Sequence, residues 1–89
     1  MEGRKLLTEK EYAQAVAVFE RAIEKNPNNG ILHVCAAQAI LMHMQEKQST
    51  DKEYLSRARS YLLQAQSQTP GDKRIPLLQQ VYDTIAAAN

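Results

Sequence analysis

The chain has 89 residues, which is enough for one domain with a modest hydrophobic core and too few for two. Its 11 lysine and arginine residues against 10 aspartate and glutamate residues give a formal net charge of +1, which argues against nucleic acid as a partner. The single cysteine, Cys35, excludes an internal disulfide and permits a reducing compartment.

Neither a signal peptide nor a membrane span can be recognised in the sequence. The N-terminal residues lack a long apolar run, and the longest apolar stretch, residues 34–44, is interrupted by Gln38 and His43. That stretch is too short to cross a bilayer and is typical of a buried helix. We therefore expect a cytoplasmic protein with no membrane partner.

Helix-breaking residues divide the chain into five predicted helices. The segments 26–30 and 69–72 contain proline and glycine, and residues 48–51 form a softer polar break. Valine and isoleucine are few and strict apolar–polar alternation does not occur, so no strand is expected. The predicted helices span residues 2–8, 9–25, 30–47, 51–68 and 74–88.

The starts of two helices are predicted from capping signals. Thr8 with Glu11, and again Thr50 with Glu53, have the spacing of a capping box, in which both side chains bond free N–H groups of the first turn. For the last helix, Asp72 and a later residue are alternative caps.

Three of the predicted helices carry an apolar stripe, whereas the third helix is apolar nearly all round. The stripe residues are Ala15, Phe19, Ala22 and Ile23; Leu55, Ala58, Leu62 and Ala65; and Ile75, Leu78, Tyr82 and Ile85. These spacings are typical of helices that bury one side against a common core.

The most informative feature is an internal repeat with a spacing of 43 residues. The repeated positions are Ala15, Phe19, Ala22 and Pro27 in the first copy and Ala58, Leu62, Ala65 and Pro70 in the second. Small alanines allow close helix packing, the large residue between them fills the gap, and proline ends the helix. A helical hairpin of this kind cannot bury both faces alone, so neighbouring hairpins must stack on it.

This repeat resembles the tetratricopeptide repeat (TPR), a helix-turn-helix of about 34 residues. Ala15, Phe19 and Pro27 match the second half of the TPR motif, while Gly3 and Leu6 stand where its Gly and Tyr fall, so the first helix looks shortened. In the second copy the motif's Trp, Leu, Gly and Tyr positions hold His33, Ala36, Ala37 and Ile40. About nine extra residues near 43–51 lengthen this copy.

The resemblance implies an all-α fold, a TPR-like α-solenoid fragment of two helix-turn-helix hairpins plus a C-terminal capping helix. It divides a single domain, residues 1–89, into repeat one at 2–27, repeat two with an insertion at 30–70, and a capping helix at 73–88. The structural residues that it implies are Gly3, Tyr12, Ala15, Phe19, Ala22, Pro27, Ala37, Ala58, Leu62, Ala65 and Pro70.

The resemblance also implies a groove that binds a peptide or helix of another protein, since the first helix of each TPR hairpin lines a concave surface. The implied groove residues are Ile31, Val34, Cys35, Gln38, Leu41, Met42 and Gln45. The opposite side, expected to pack on neighbouring helices, consists of His33, Ala37, Ile40 and Met44. The alternative is that the third helix is central and covered on all sides, as helices that are apolar all round usually are.

A narrower resemblance concerns residues 27–32 and 38–41 together with Met44. They are similar to the C-terminal TPR segment of certain bacterial response regulators, in which a phosphorylatable receiver domain precedes the repeats. This resemblance implies a fragment of a signalling protein whose receiver lies upstream. The alternative function is self-association, because two repeats are fewer than solenoids usually need and a homodimer could cover the open end.

No constellation of residues predicts catalysis, a metal or a cofactor. His33 and His43 are separated by about 15 Å along the third helix, so they cannot share a metal with Cys35. The carboxylates are expected at caps and on solvated faces, and the cysteine lacks a flanking base. The basic residues Arg57, Arg59, Lys73 and Arg74 are interpreted as part of a solvated face. We therefore expect a binding module and not an enzyme.

Overall fold

In a computed structural model that describes residues 2–88, all regular structure is helical, as predicted. The helices are α1 (Glu2–Thr8), α2 (Tyr12–Lys25), α3 (Gly30–Lys47), α4 (Lys52–Gln68) and α5 (Arg74–Ala87). Four of the five helices begin within one residue of the predicted start, but α2 begins three residues later than predicted. The helices pack compactly, with a radius of gyration of 11.9 Å.

Helix α3 lies at the centre of the molecule. It packs most extensively against α4 and then against α2, while α5 packs on both α3 and α4, and α1 rests on α2. The side chains of α3 with no exposed surface are Val34, Ala36, Ala37, Ala39, Ile40, Leu41 and Met44. A helix that is apolar all round therefore takes the central position, where three other helices bury its surface.

The repeated alanines mark the places where α2 and α4 approach the core. Ala15, Ala58 and Ala65 are fully buried, and Phe19 and Leu62 fill the space between them as the large residues of the repeat. Ala22 is half-buried, Tyr12 begins α2, and Pro27 and Pro70 lie exposed just after α2 and α4.

Both predicted capping boxes are wrong. Thr8 is the last residue of α1 and Glu11, which precedes α2, makes no side-chain cap bond. At α4 the cap is Asp51 and not Thr50, because the Asp51 carboxylate accepts N–H bonds from Glu53 at 2.8 Å and Tyr54 at 3.4 Å. An aspartate two and three residues before these donors reaches both directly, so the N–H of Glu53 is not available to a threonine one residue further away.

Helix α1 ends in a left-handed turn that delays the start of α2. The N–H of Glu11 donates to the carbonyl of Leu6 at 2.8 Å, and the N–H of Lys10 donates to Leu7 at 3.1 Å. This is the Schellman arrangement, in which the residue after the helix is usually glycine, but here it is Lys10 with φ of 62°. The turn uses residues 9–11, and α2 therefore cannot begin at residue 9.

Helix α3 ends in the same way at Gln48, whose φ is 51°. The N–H of Ser49 donates to the carbonyl of Met44 at 2.9 Å, and the N–H of Gln48 donates to Gln45 at 3.2 Å. Residues 2–88 thus contain two left-handed helix ends without glycine.

The start of α5 depends on Asp72. Its carboxylate accepts the backbone N–H of Arg74 at 2.9 Å, whereas Lys73, directly before the helix, makes no side-chain cap bond. The Arg74 guanidinium also binds this carboxylate, at 2.8 Å and 3.1 Å. These bonds lower the pKa of Asp72, so the carboxylate stays charged and keeps its hold on the helix end.

Two glycines allow close approaches between helices. A Cβ atom at Gly3 would lie 2.6 Å from the Cζ atom of Phe19, so α1 sits directly on that ring. A Cβ atom at Gly30 would lie 2.8 Å from the Cγ2 atom of Thr69, where the start of α3 meets the end of α4. By contrast, nothing lies within 4 Å of a Cβ atom added at Gly71.

Replacing Lys10 or Gln48 by glycine is expected to raise the free energy of unfolding by up to about 1 kcal/mol, because glycine adopts a left-handed conformation without a steric penalty. Urea unfolding followed by circular dichroism measures the change. Lys5→Gly, which places the same residue inside α1, is the matched control and is expected to destabilise. A Lys10→Gly protein less stable than the parent would contradict the turn geometry.

Gly3→Ala is expected to lower the free energy of unfolding by about 1–3 kcal/mol, because the added methyl group must displace the rigid Phe19 ring. Gly71→Ala makes the same chemical change in open space and is expected to be close to neutral. Equal urea midpoints for the two variants would show that α1 does not sit on Phe19.

Candidate functional site

The seven predicted groove residues divide into a buried set and an accessible set. Val34, Cys35 and Leu41 are 0%, 2% and 0% exposed and belong to the core. The accessible residues are Ile31, Gln38, Met42 and Gln45. The three buried residues therefore form no surface that a partner could contact, which corrects the expectation that they face an open groove.

Helix α5 accounts for this burial. At its start, the Arg74 guanidinium lies 3.9 Å from the Sγ atom of Cys35, and near its end Ile85 shares a cleft with Met44 and Gln48. The two helices thus run side by side in the same direction. Val34 and Leu41 share a side of α3 with Gln48, because these positions are seven residues apart, and Gln48 borders the cleft that Ile85 of α5 also lines.

The four accessible residues lie on one side of the helix, and we call them the α3 stripe (Ile31, Gln38, Met42 and Gln45). Successive offsets of seven, four and three residues place them on one side of the helix. Ile31 is 46% exposed, and the amide of Gln38 lies 3.9 Å from the Sδ atom of Met42 as a weak donor. The stripe therefore combines amides with polarizable apolar groups and carries no charged side chain.

An edge of α5 borders the α3 stripe. Thr84 lines the same cleft of about 380 Å³ as Gln45, so this side of α5 faces the stripe. Leu77 and Val81 lie seven and three residues earlier and share that side. We call Leu77, Val81 and Thr84 the α5 rim. Leu77 is 62% exposed, more than Leu63 at 56% or Ile31 at 46%.

The sequence did not identify the α5 rim, because α5 was interpreted only as a cap. A signal was nevertheless present, since Leu77 and Val81 lie outside the apolar stripe predicted for that helix. Val81 is partly buried against the core, whereas Leu77 is largely exposed. Apolar residues off the core-facing stripe are candidates for surface contacts.

The opposite side of α3 packs on neighbouring helices, as predicted. Ala37, Ile40 and Met44 are fully buried and His33 is 5% exposed. The His33 Nε2 atom lies 2.8 Å from the carbonyl oxygen of Pro27, so a proton on Nε2 joins α3 to the preceding turn. The His33 ring also contacts Tyr61 at 5.8 Å between centroids. This histidine is therefore a structural residue.

Polar groups connect α2 to α4. The Tyr61 hydroxyl donates to Glu20 at 2.6 Å, and Arg57 lies 3.7 Å from the same carboxylate and 2.9 Å from Glu53. Partial burial of Tyr61, together with its bond to Glu20 and the charge of that residue, raises the pKa of the phenol well above 10.0. The protonated phenol therefore persists in the folded protein at alkaline pH.

The two histidines and the cysteine lie in three different surroundings. His33 lies at the α2–α3 turn, His43 contacts Tyr54 edge-on at 5.7 Å, and Cys35 lies beside Arg74. Within residues 2–88, no group of three or more histidine, cysteine or acidic side chains comes together as a metal site. In the same part of the chain, every helix is too short or too polar to cross a bilayer.

The arrangement defines an all-α protein of five packed helices with a neutral accessible stripe beside an apolar rim. Comparison with protein-family models, with curated proteins and with solved structures finds no match. Function is therefore inferred from the surface itself.

The bond between Tyr61 and Glu20 predicts a loss of stability at alkaline pH. Because the folded-state pKa of the phenol is raised, its contribution is fully present below pH 10. It is lost as the pH rises further, because the unfolded chain releases this proton first. Tyr61→Phe is expected to be less stable than the parent at neutral pH but to lose less stability between neutral and strongly alkaline pH. Urea midpoints at both pH values test this, and equal losses would contradict it.

Proposed function

We propose that this chain is a TPR-like protein-interaction module, and not an enzyme, that binds a peptide or helix of a partner protein along the α3 stripe and the α5 rim. The observation that carries the proposal is the exposure of Leu77 beside a line of accessible residues on the otherwise buried α3. An exposed apolar edge next to amide groups is typical of surfaces that bind other proteins.

The internal repeat supports the TPR-like part of the proposal. Its two copies correspond to α1 with α2 and to α3 with α4, and each pair is joined by a short connection. Ala15 and Ala58 are both fully buried at the repeated position. Gly3 lies against Phe19, which is the kind of close helix approach that small residues in a TPR permit.

The chemistry of the stripe defines the partner that it suits. Gln38 and Gln45 can each donate and accept hydrogen bonds with a peptide backbone or with polar side chains. Met42 can adapt its shape to different apolar groups, and Leu77 provides fixed apolar area. The cation that reaches this region, Arg74, is already held by Asp72, so the surface favours a neutral, partly apolar segment over a carboxylate.

The narrower resemblance to response-regulator segments supports a signalling context as a more specific proposal. The residues that carry it include Ile31 and Gln38 of the α3 stripe. If that context is right, a protein captured through the stripe belongs to a bacterial signalling pathway, and capture only of unrelated proteins argues against it.

Met42→Glu and Leu77→Glu are each expected to weaken partner binding by about tenfold or more, because each places a charge in an apolar contact. A partner is first captured with the parent protein, and its affinity for each purified variant is then measured by isothermal titration calorimetry. Gln14→Glu introduces the same charge at an exposed position of α2 and is expected to leave the affinity unchanged.

Leu41→Glu is unsuitable for this experiment, because Leu41 is fully buried and a charge there is expected to unfold the protein. Unchanged partner affinity in folded Met42→Glu and Leu77→Glu proteins would rule out the stripe and rim as the binding surface. Light scattering distinguishes the alternative of self-association, which predicts a dimer that Leu77→Glu converts to a monomer.

A further inference from the structure

Two surface clefts occupy equivalent places in the internal repeat. The inner cleft, of about 200 Å³, lies between α2 and the end of α3 and is closed by Tyr54 and Arg57 of α4. The outer cleft, of about 300 Å³, lies between α4 and α5. The residues that line the outer cleft are Lys52, Leu55, Ser56, Arg59, Tyr82 and Ala86.

The 43-residue spacing of the repeat relates the two clefts. Shifting the lining of the inner cleft by this spacing gives residues that line the outer cleft. The matching pairs are Ala13 with Ser56, Val16 with Arg59, and His43 with Ala86. In the outer cleft α4 therefore takes the place of α2, and α5 takes the place of α3.

The inner cleft is covered by a helix, whereas the equivalent cover of the outer cleft is missing from residues 2–88. Over the inner cleft, α4 contacts α2 through the bond from Tyr61 to Glu20 and through Arg57. In the outer cleft, nothing in the described chain takes the place of α4. By analogy with the inner cleft, a helix could therefore pack over the outer cleft, along α4 and α5.

The charge of the outer cleft differs from that of the inner cleft. Leu63, which is 56% exposed, stands at the position equivalent to Glu20, so an acidic acceptor is replaced by an apolar contact. Lys52 and Arg59 are exposed, and neither forms an ion pair within residues 2–88. The nearby carboxylate of Asp83 accepts a hydrogen bond from Gln79 at 3.0 Å. The cleft therefore presents two unpaired cations beside an apolar surface.

We infer that the outer cleft binds an amphipathic helix of a partner protein that carries acidic residues on the edge facing α4. The apolar side of that helix contacts Leu63 and Tyr82, and its carboxylates bind Lys52 and Arg59. These cations are seven residues apart on α4, about 10 Å along its axis, so acidic residues two turns apart in the partner match them. This surface is separate from the α3 stripe, and the inference does not rest on the proposed function.

Two synthetic helical peptides serve as probes. The first has the sequence of α4, residues 52–68, with its three cationic positions 52, 57 and 59 changed to glutamate, and the second keeps the unaltered sequence. Both retain the apolar stripe that α4 itself uses. Fluorescence anisotropy of the labelled peptides measures their affinity for the whole chain at low and high salt. The acidic peptide is expected to bind at least about tenfold more tightly, with an advantage that falls at high salt.

Arg59→Glu and Lys52→Glu in the protein are each expected to weaken binding of the acidic peptide by about tenfold. Both side chains are exposed, and circular dichroism confirms that the variants remain folded. Arg21→Glu makes the same charge change at an exposed position of α2, and the affinity of this variant is expected to stay within about twofold of the parent value. Leu63→Ser is expected to weaken binding of both peptides, because it removes the apolar contact.

Several results would overturn the inference. Absence of binding by the acidic peptide, or equal affinity for both peptides, rules out recognition of an acidic helix. An equal loss in Arg21→Glu and Arg59→Glu shows non-specific attraction. A loss in Met42→Glu but not in Arg59→Glu assigns the peptide to the α3 stripe, which supports the proposed function alone. A dimer that Arg59→Glu converts to a monomer assigns the cleft to a second copy of the chain.

Discussion

The burial of α3 is the constraint on which the rest of the structure depends. Ile40, Leu41 and Met44 have no exposed surface, and a helix with apolar groups on all sides is stable in water only when other helices surround it. α2, α4 and α5 provide that cover. Buried alanines of α2 and α4 at the contact positions, such as Ala15 and Ala58, allow the backbones to approach closely.

The same constraint decides which surfaces remain for binding. With three helices around α3, most of its surface is buried, and its accessible residues include the α3 stripe, which is bordered by the exposed Leu77 of α5. The last cleft, between α4 and α5, has no described helix over it and presents Arg59 and Lys52. One surface is neutral and the other is cationic, so the two suit partners of different chemistry and can be tested separately.

The helices were predictable because their signals are local. Apolar spacing and the breakers around Pro27 and Pro70 act within a few residues, and the observed bounds follow them closely. The helix caps were less predictable, because several polar residues compete for the same N–H groups and only the backbone path selects one. Asp51 therefore caps α4 where Thr50 was expected, and the left-handed turn at Lys10 delays α2.

The sequence by itself determined the five helices and the repeat, because these depend on residue spacing and hydrophobicity, and it left the central place of the all-apolar α3 as one of two alternatives. Only the tertiary structure decided which groove residues are accessible. Val34 and Met42 have the same apolar character in the sequence, yet the first is fully buried and the second is partly accessible. The physical reason is that exposure depends on where a distant helix packs, and Cys35 and Arg74, which are 39 positions apart in the sequence, carry no local signal of their contact.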